Sequence, residues 1–536
     1  MRRSHARNRV DSKPKNNDSN NQMDPIKLQI RPNSRFSKTK PKSTLFYIFL
    51  ASFFTLLAIL SFYFIFASND SHEMYRIIID GGSTGTRIHV FSYRNKDGRP
   101  VFAFGNGAMR VNPGLSVYSE DPDMAGRSLE ELIEFGKSRV PKQLWGETEI
   151  RLMATAGMRL LDFNVQDRIL ESCRLVLRKS GFKFFDHWAS VISGSDEGVY
   201  AWIAANYALG SLGGDPSETT GIIELGGASA QVTFVPNEPV PPEFSRIIKF
   251  GNLTYSIYSH SFLHFGQNAA FEALRESLVK VDLSASKSLE KGKFIDPCTP
   301  KGYLNTLQSG DLSPGSVEKG KLLSSLHSGG NFSKCRSAAL TLIQKGKEKC
   351  IYQHCNVGST FIPKLQGKFL ATENFFYTSK FFGLGKRAFL SNLIMAGEQF
   401  CGEDWSKLRK KHHSLDDDDL IRYCFSSAYI VALLHDSLGI ALDDERIGYA
   451  NEVGNMPLDW ALGAFILQST AELDMQHPDW IATIINDDSP TLISLIAIAI
   501  LLMFVAWSIS KWRKPQLKTV YDLEKGRYIV TRVGRS

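Results

Sequence analysis

Charge is missing from two stretches of this 536-residue chain. Leu45 to Ala67 (23 residues) and Thr491 to Ser510 (20 residues) contain no Asp, Glu, Lys or Arg. That excludes an ordinary amphipathic surface helix, and each stretch is long enough to cross a hydrocarbon core of ~30 Å at ~1.5 Å per residue. A buried core helix is the competing reading. The first stretch is too long for the apolar part of a secretory leader and follows a 44-residue tail, so an uncleaved anchor is expected. Acidic residues are scarce at both ends: residues 1–44 hold 12 Lys/Arg against 3 Asp/Glu, and residues 511–536 hold 8 against 2. The overall +8 therefore hides a middle with 43 basic and 50 acidic residues. The positive-inside bias retains both tails in the cytoplasm and sends the middle to a lumenal or extracellular side, in a Golgi-type or plasma membrane. It also explains the basic tails more simply than nucleic-acid binding would, so no nucleic-acid partner is expected.

Cysteine is sparse, at seven residues, and no Cys-X-X-Cys occurs. With His412 and His413 adjacent, the usual zinc-ligand spacings are absent. Six cysteines fall between 298 and 424 (Cys298, Cys335, Cys350, Cys355, Cys401, Cys424). An even cluster in a translocated region implies disulfides, but spacing leaves every connectivity open. Cys173 stands apart and reads as a buried thiol. Sequons at Asn69, Asn252 and Asn331 mark candidate glycosylation sites, the first close to the membrane.

Two short stretches of the middle share one plan. Ile77 to Arg87 is a β-branched run, a carboxylate (Asp80), then Gly81-Gly82-Ser83-Thr84-Gly85-Thr86; Ile222 to Gln231 repeats it with Glu224 and Gly226-Gly227-Ala228-Ser229. Each reads as strand, tight turn and returning strand. Glycine lets backbone N–H groups crowd around an anion. A carboxylate at the strand end repels phosphate unless it also holds a cation. Two such loops, 144 residues apart, point to a nucleotide clamped between two related lobes. One loop read alone is more often an ordinary structural turn.

The surroundings alternate between strand and helix patterns. Residues 149–153 and 189–192 read as strands, and 128–140, 164–180, 197–209 and 460–467 as helices. Residues 284–345, rich in Lys, Ser and Gly, read as an irregular surface elaboration. Asp416 to Asp419 read as a solvated cap on a helix over 420–438, ended by Gly439. Two further loops follow strands: Ala154-Thr155-Ala156-Gly157-Met158-Arg159 and Gly194-Ser195-Asp196-Glu197-Gly198. Ligands of open α/β folds gather at such strand ends. Hydrolysing a phosphoanhydride needs phosphate donors, a divalent cation, a positioned water and a base. The backbone of 81–86 and 226–229 supplies donors. Asp80 and Glu224 suit a cation held through its waters. Glu197, at a helix start, suits a general base, and Thr155, Ser229 and Gln231 suit water orientation. Read singly, Glu197 is a helix-capping acid, and Arg87 and Arg159 are surface ion-pair partners worth ~0–1 kcal/mol.

These four loops, with Asp459-Trp460-Ala461-Leu462-Gly463, resemble in order the five conserved regions of the apyrase (nucleoside triphosphate diphosphohydrolase) family. The likeness spans about residues 75–465, in a wording closest to plant and Golgi-type members. It implies an actin/hexokinase/Hsp70-type α/β fold with two ribonuclease H-like lobes, flanked here by two transmembrane helices. Lobe I would cover 68–193, completed by about 456–488, and lobe II 194–455. It also implies Glu197 as catalytic base, with Thr155, Ser229 and Gln231 placing the water. Asp80 and Glu224 would fall at the metal positions, for Ca²⁺ or Mg²⁺. Gly82, Ser83, Thr84, Gly85, Thr86, Arg87, Gly226, Gly227 and Ala228 would hold phosphates. Tyr429 would stack on the base, with Phe376 or Tyr377 as other candidates. The implied disulfides are Cys350–Cys355 and Cys401–Cys424, leaving Cys298–Cys335. The substrate would be a nucleoside di- or triphosphate. Most members carry Asp at Glu224, Thr or Ser at Ala230, and Ala at Gly81; an altered rate or metal preference is expected from Glu224. A phosphotransferase of the same superfamily, or a weakly catalytic nucleotide-binding receptor or scaffold, is the rival reading.

Overall fold

The structure, a computed structural model, describes residues 73–96, 99–103, 107–285, 294–303, 326–353, 355–476, 517–522 and 526–532, together with Phe53 and Val505. Apart from those two single residues, the expected spans 45–67 and 491–510 lie outside the described residues, as does Asn69. Among the described residues no helix is long and apolar enough to cross a membrane.

Two six-stranded sheets carry the fold. The first holds β1 (Glu73–Gly81), β2 (Thr86–Lys96), β3 (Arg99–Ala103), β4 (Ala108–Val111), β5 (Glu149–Ala154) and β6 (Ala189–Val191), in the order β3-β2-β1-β5-β6 with β4 also on β2. The second begins with β7 (Gly221–Leu225), β8 (Ser229–Phe234), β9 (Ser245–Phe250) and β10 (Leu253–Leu263). Two short ladders follow: β11 (Phe294–Asp296) with β12 (Leu326–Ser328), and β13 (Cys355–Val357) with β14 (Thr360–Phe361). Then β15 (Phe369–Glu373) and β16 (Ile447–Tyr449) complete the second sheet in the order β16-β15-β7-β8-β10-β9.

The sheets repeat one topology. Each has an antiparallel set (β1, β2, β3; β7, β8, β10) extended by two parallel strands beside the first member (β5, β6; β15, β16). The two sequence repeats are the turns β1–β2 and β7–β8, at equivalent places. β-branched residues fill the central strands because both faces are covered. In β1, Ile77 and Ile79 enter one buried cluster and Ile78 another, as a period of two requires.

The cluster holding Ile78 joins the sheets. It includes Ile222 and Tyr255 of the second sheet and the helices Gly194–Leu209 and Trp460–Gln476 between them. A Cβ on Gly463 would run into the Tyr200 carbonyl, so these helices cross in direct backbone contact. The first helix begins at Gly194, earlier than the expected 197, because the Ser193 side chain accepts the Asp196 N–H and caps it. It ends at Gly210, where φ is +73°.

Residues 332–343 correct the expectation of an irregular elaboration. They form the helix Phe332–Ile343, with Phe332, Cys335, Ala339 and Ile343 buried in the core of the second sheet. Residues 286–293 and 304–325 of that region lie outside the described residues. The aspartate run caps a helix, Asp416 accepting the Asp417 N–H ahead of Asp417–Leu420. Cys298–Cys335, Cys350–Cys355 and Cys401–Cys424 are disulfide-bonded, the pairing the family resemblance implied, and Cys173 is free and buried.

Candidate active site

Strand order decides where the loops meet. The C-terminal ends of β1, β5, β7 and β15 and the helix start after β6 open on one cleft of about 740 Å³. It is lined by Asp80, Gly82 to Gly85, Arg87, Thr155, Glu197, Glu224, Gly226 to Ser229 and Gln231. Two expected residues are elsewhere. Thr86 is fully buried in the β2 pairing. Tyr429 is buried in the second core, where its hydroxyl donates to the Phe265 carbonyl at 2.7 Å and its ring stacks on Phe425. An aromatic residue at helical spacing has been taken up by packing. Of the other stacking candidates, Tyr377 remains 46% exposed and lies close enough to Glu373, Arg87 and Arg110 to feel their charges.

The glycines of the two loops are needed for room. Neither Gly82, Gly85, Gly226 nor Gly227 takes a positive φ. A Cβ on Gly82 would lie 2.7 Å from the Gly85 carbonyl oxygen; one on Gly227 would lie 2.7 Å from Ser83 Oγ and 3.0 Å from Thr84 Cγ2. The loops thus face each other at close range. The Ala230 departure is remote from this. Ser229 and Gln231 point into the cleft, so on an alternating strand Ala230 points away, into the core with Ile223 and Phe262.

Around Glu197 the polar groups form a connected set. Arg159 Nη2 donates to Glu197 Oε2 at 2.9 Å and to Ser229 Oγ at 3.4 Å, while Nη1 holds the Ile192 carbonyl at 3.0 Å. Gln231 Nε2 donates to Ser229 Oγ at 2.8 Å. Burial raises the Glu197 carboxyl above its ordinary range, and Arg159 and Gln231 offset only part of that. Arg159, with its side chain 15% exposed, pairs with the cleft residue Glu197 instead of standing on the surface. Thr155 donates to the Gly81 carbonyl, fixing β5 to the first loop.

Five carboxylates share this space. Asp459 accepts Arg87 at 3.0 Å and the Ala461 N–H at 2.9 Å and lies 3.4 Å from His89 Nε2; burial works against its ionised form, but these neighbours outweigh it and lower its pKa. Asp80 has only a partial offset from Arg87, and Glu224 has none. Burial first, then neighbouring carboxylates (Asp459 for Asp80, Glu197 and Glu373 for Glu224), pushes both well above the ordinary range. Asp80 Oδ1 and Glu224 Oε2 are buried without a hydrogen-bond partner. Such oxygens fit a cation. Among the described residues no three His, Cys, Asp or Glu are close enough to hold one directly.

Residues 66–477 match the GDA1/CD39 (nucleoside phosphatase) family. The chain belongs to that family. It is similar to probable apyrase 6 of Arabidopsis thaliana, at 58% identity over 99% of this chain and 100% of that relative. It is also similar to ectonucleoside triphosphate diphosphohydrolase 3 of Mus musculus, at 30% identity over 75% of this chain and 79% of the relative. Among solved structures, nucleoside triphosphate hydrolases from Neospora caninum share the fold, with a TM-score of 0.56 at 16% identity over 82% of this chain and 98% of that one.

Within this family member's cleft, three charged lining residues had no role in the sequence reading: Glu373, Asp459 and Arg110. Asp459 stood in a quoted motif and had that signal. Glu373 had none, since it takes φ +58°, a conformation that a Glu in a strand-to-helix junction does not announce. Its N–H donates to Asn451 Oδ1 at 2.7 Å. Arg110 reaches the cleft from β4, an element visible only through sheet pairing.

Proposed function

We propose that this apyrase-type nucleotide phosphohydrolase removes the terminal phosphate of nucleoside tri- and diphosphates with Glu197 as general base. In the proposed step, Glu197 takes a proton from a water held by Ser229, Gln231 and Thr155 as that water attacks the terminal phosphorus. The bond from phosphorus to the bridging oxygen breaks, inorganic phosphate forms, and the shortened nucleotide leaves with the bond's electron pair. The facing backbones of 82–85 and 226–228 hold the phosphates. Asp80 and Glu224 would hold Ca²⁺ or Mg²⁺ through its waters, and that ion would supply charge neutralisation to the phosphates. The observation that carries this reading is Glu197 itself: a largely enclosed carboxyl, 13% exposed, with a raised pKa, held by Arg159, in one cleft with both glycine loops. Among the described residues Ser229 Oγ accepts from Arg159 and Gln231, and no serine of the cleft donates a hydrogen bond to a carboxylate or a histidine, so direct water attack is preferred to a phosphoenzyme.

The test is phosphate release by the full chain, with and without divalent metal, beside Glu197→Gln. Loss of a general base costs about 10²–10⁴-fold in kcat. Equal rates in the two proteins would sink the assignment.

We further read the chain as a two-pass membrane glycoprotein with both tails cytoplasmic and the catalytic region lumenal or extracellular. The charge bias of the tails and the two uncharged stretches support this. Asn252 and Asn331 are both exposed. Asn331 Oδ1 caps a helix by accepting Lys334 N–H, which leaves its amide nitrogen available for a glycan. Endoglycosidase treatment should increase the gel mobility of the expressed protein, less so in Asn252→Gln with Asn331→Gln. No shift would count against translocation of the middle.

A further inference from the structure

The cleft contains one guanidinium with no carboxylate partner. Arg87 is held by Asp459 at 3.0 Å and Arg159 by Glu197 at 2.9 Å. Arg110 makes no ion pair among the described residues; its side chain donates to neutral oxygens, Nη2 to Thr84 Oγ1 at 3.0 Å and Nε to Asn112 Oδ1 at 3.2 Å. It lines the cleft beside the first glycine loop and is exposed. Gly85 makes room for it: a Cβ at that position would fall on the guanidinium, 2.9 Å from Nη2 and closer still to Nε. A fork of N–H donors spread over a glycine turn, with donors left over, matches the oxygens of a phosphate.

Position along the cleft says which phosphate. Arg110 stands on β4, which pairs with β2, whereas Glu197 opens the helix that follows β6, so along the order β4-β2-β1-β5-β6 the two sit toward opposite edges of the first sheet, and Arg110 is close enough to Glu373 and Tyr377 to act on their charges. Arg110 therefore lies away from the water-activating end, on the side of the half-exposed Tyr377.

We propose that Arg110 binds the phosphate on the nucleoside side of the scissile bond, the group that departs with the nucleotide. This rests on the hydrolase reading above. In a diphosphate that group is the α-phosphate and in a triphosphate the β-phosphate, so one guanidinium serves both substrates. The departing oxygen gains negative charge as the bridging bond breaks, and a fixed cation beside it lowers the barrier.

The experiment measures equilibrium binding of adenosine 5′-monophosphate and of adenosine to the full chain in Mg²⁺, for wild type and Arg110→Ala. Monophosphate affinity should fall about 10- to 100-fold, the loss typical of a charge-assisted pair, while adenosine affinity changes less than about twofold. Unchanged monophosphate binding, or an equal fall for both ligands, overturns the proposal. Should Arg110→Ala not fold, Gly85→Ala puts a methyl where the guanidinium lies and carries the same expectation. A wild-type chain that releases no phosphate yet shows the monophosphate difference would remove the hydrolase reading and leave the Arg110 contact standing.

Discussion

At the scale of single residues, Glu197 is governed by two opposed influences. Burial raises its pKa, and Arg159 at 2.9 Å pulls it down. A general base works only when ionised, so kcat/KM should rise with pH through a value above the ordinary carboxylate range. Removing the guanidinium in Arg159→Ala takes away the lowering influence, so that acid limb should move to higher pH. A pH–rate profile decides it; a limb that stays put or moves down would detach Arg159 from the base. Glu224 gives a second expectation. Replacing it by Asp draws the carboxylate back by one methylene, ~1.5 Å. Glu224→Asp should lower activity by no more than about 10- to 100-fold while the ratio of Mg²⁺- to Ca²⁺-supported rates changes, as outer-shell contacts tune a metal by about that much. Metal titrations of both proteins check this. Residues such as Glu197 were legible because their motif ties chemical type to a strand end. Tyr429 was misread because stacking aromatics and core aromatics look alike in sequence. Glu373 escaped because its role depends on a backbone angle that residue identity does not encode.

At the scale of elements, the contact between helices Gly194–Leu209 and Trp460–Gln476 has the most leverage. One begins three residues before Glu197, and the other starts directly after Asp459. At Gly463 they pass backbone to backbone, and a methyl there has no flexible side chain to displace, only the Tyr200 carbonyl. Gly463→Ala should cost about 1–3 kcal/mol or more, the range for overpacking a core. It should also lower activity, because separating the helices moves two cleft carboxylates. Thermal unfolding and turnover should fall together; a stable protein with full activity would mean that the helices slide apart without consequence. Elements were legible where periodicity was clean, as in β5 and the helix Phe163–Leu177. The helix Phe332–Ile343 was hidden because its Lys- and Ser-rich surroundings dilute the apolar stripe of Phe332, Cys335, Ala339 and Ile343.

At the scale of the whole molecule, two copies of one sheet topology are stabilised by unequal means. The first sheet's core is apolar packing around Ile77, Ile79 and Leu152, with one free thiol, Cys173. The second carries all three disulfides, two of which link Cys298 and Cys401, at 0% exposure, to Cys335 and Cys424. That imbalance was legible in the cysteine distribution, and the doubling in the paired glycine turns. What joins the halves was not, since a cluster shared by Ile78, Ile222 and Phe465 exists only after folding. Bridges separated by 37 and 23 residues each restrict the unfolded chain by roughly 3–4 kcal/mol. None of these cysteines lines the cleft. Replacing Cys401 and Cys424 together by Ala should therefore lower Tm by several degrees and leave kcat/KM at low temperature within about twofold of wild type. Scanning calorimetry and turnover well below Tm separate the two effects. If turnover fell as steeply as stability, the bridge would have to reach the cleft through Arg422, which donates to Asn268 beside Gly227.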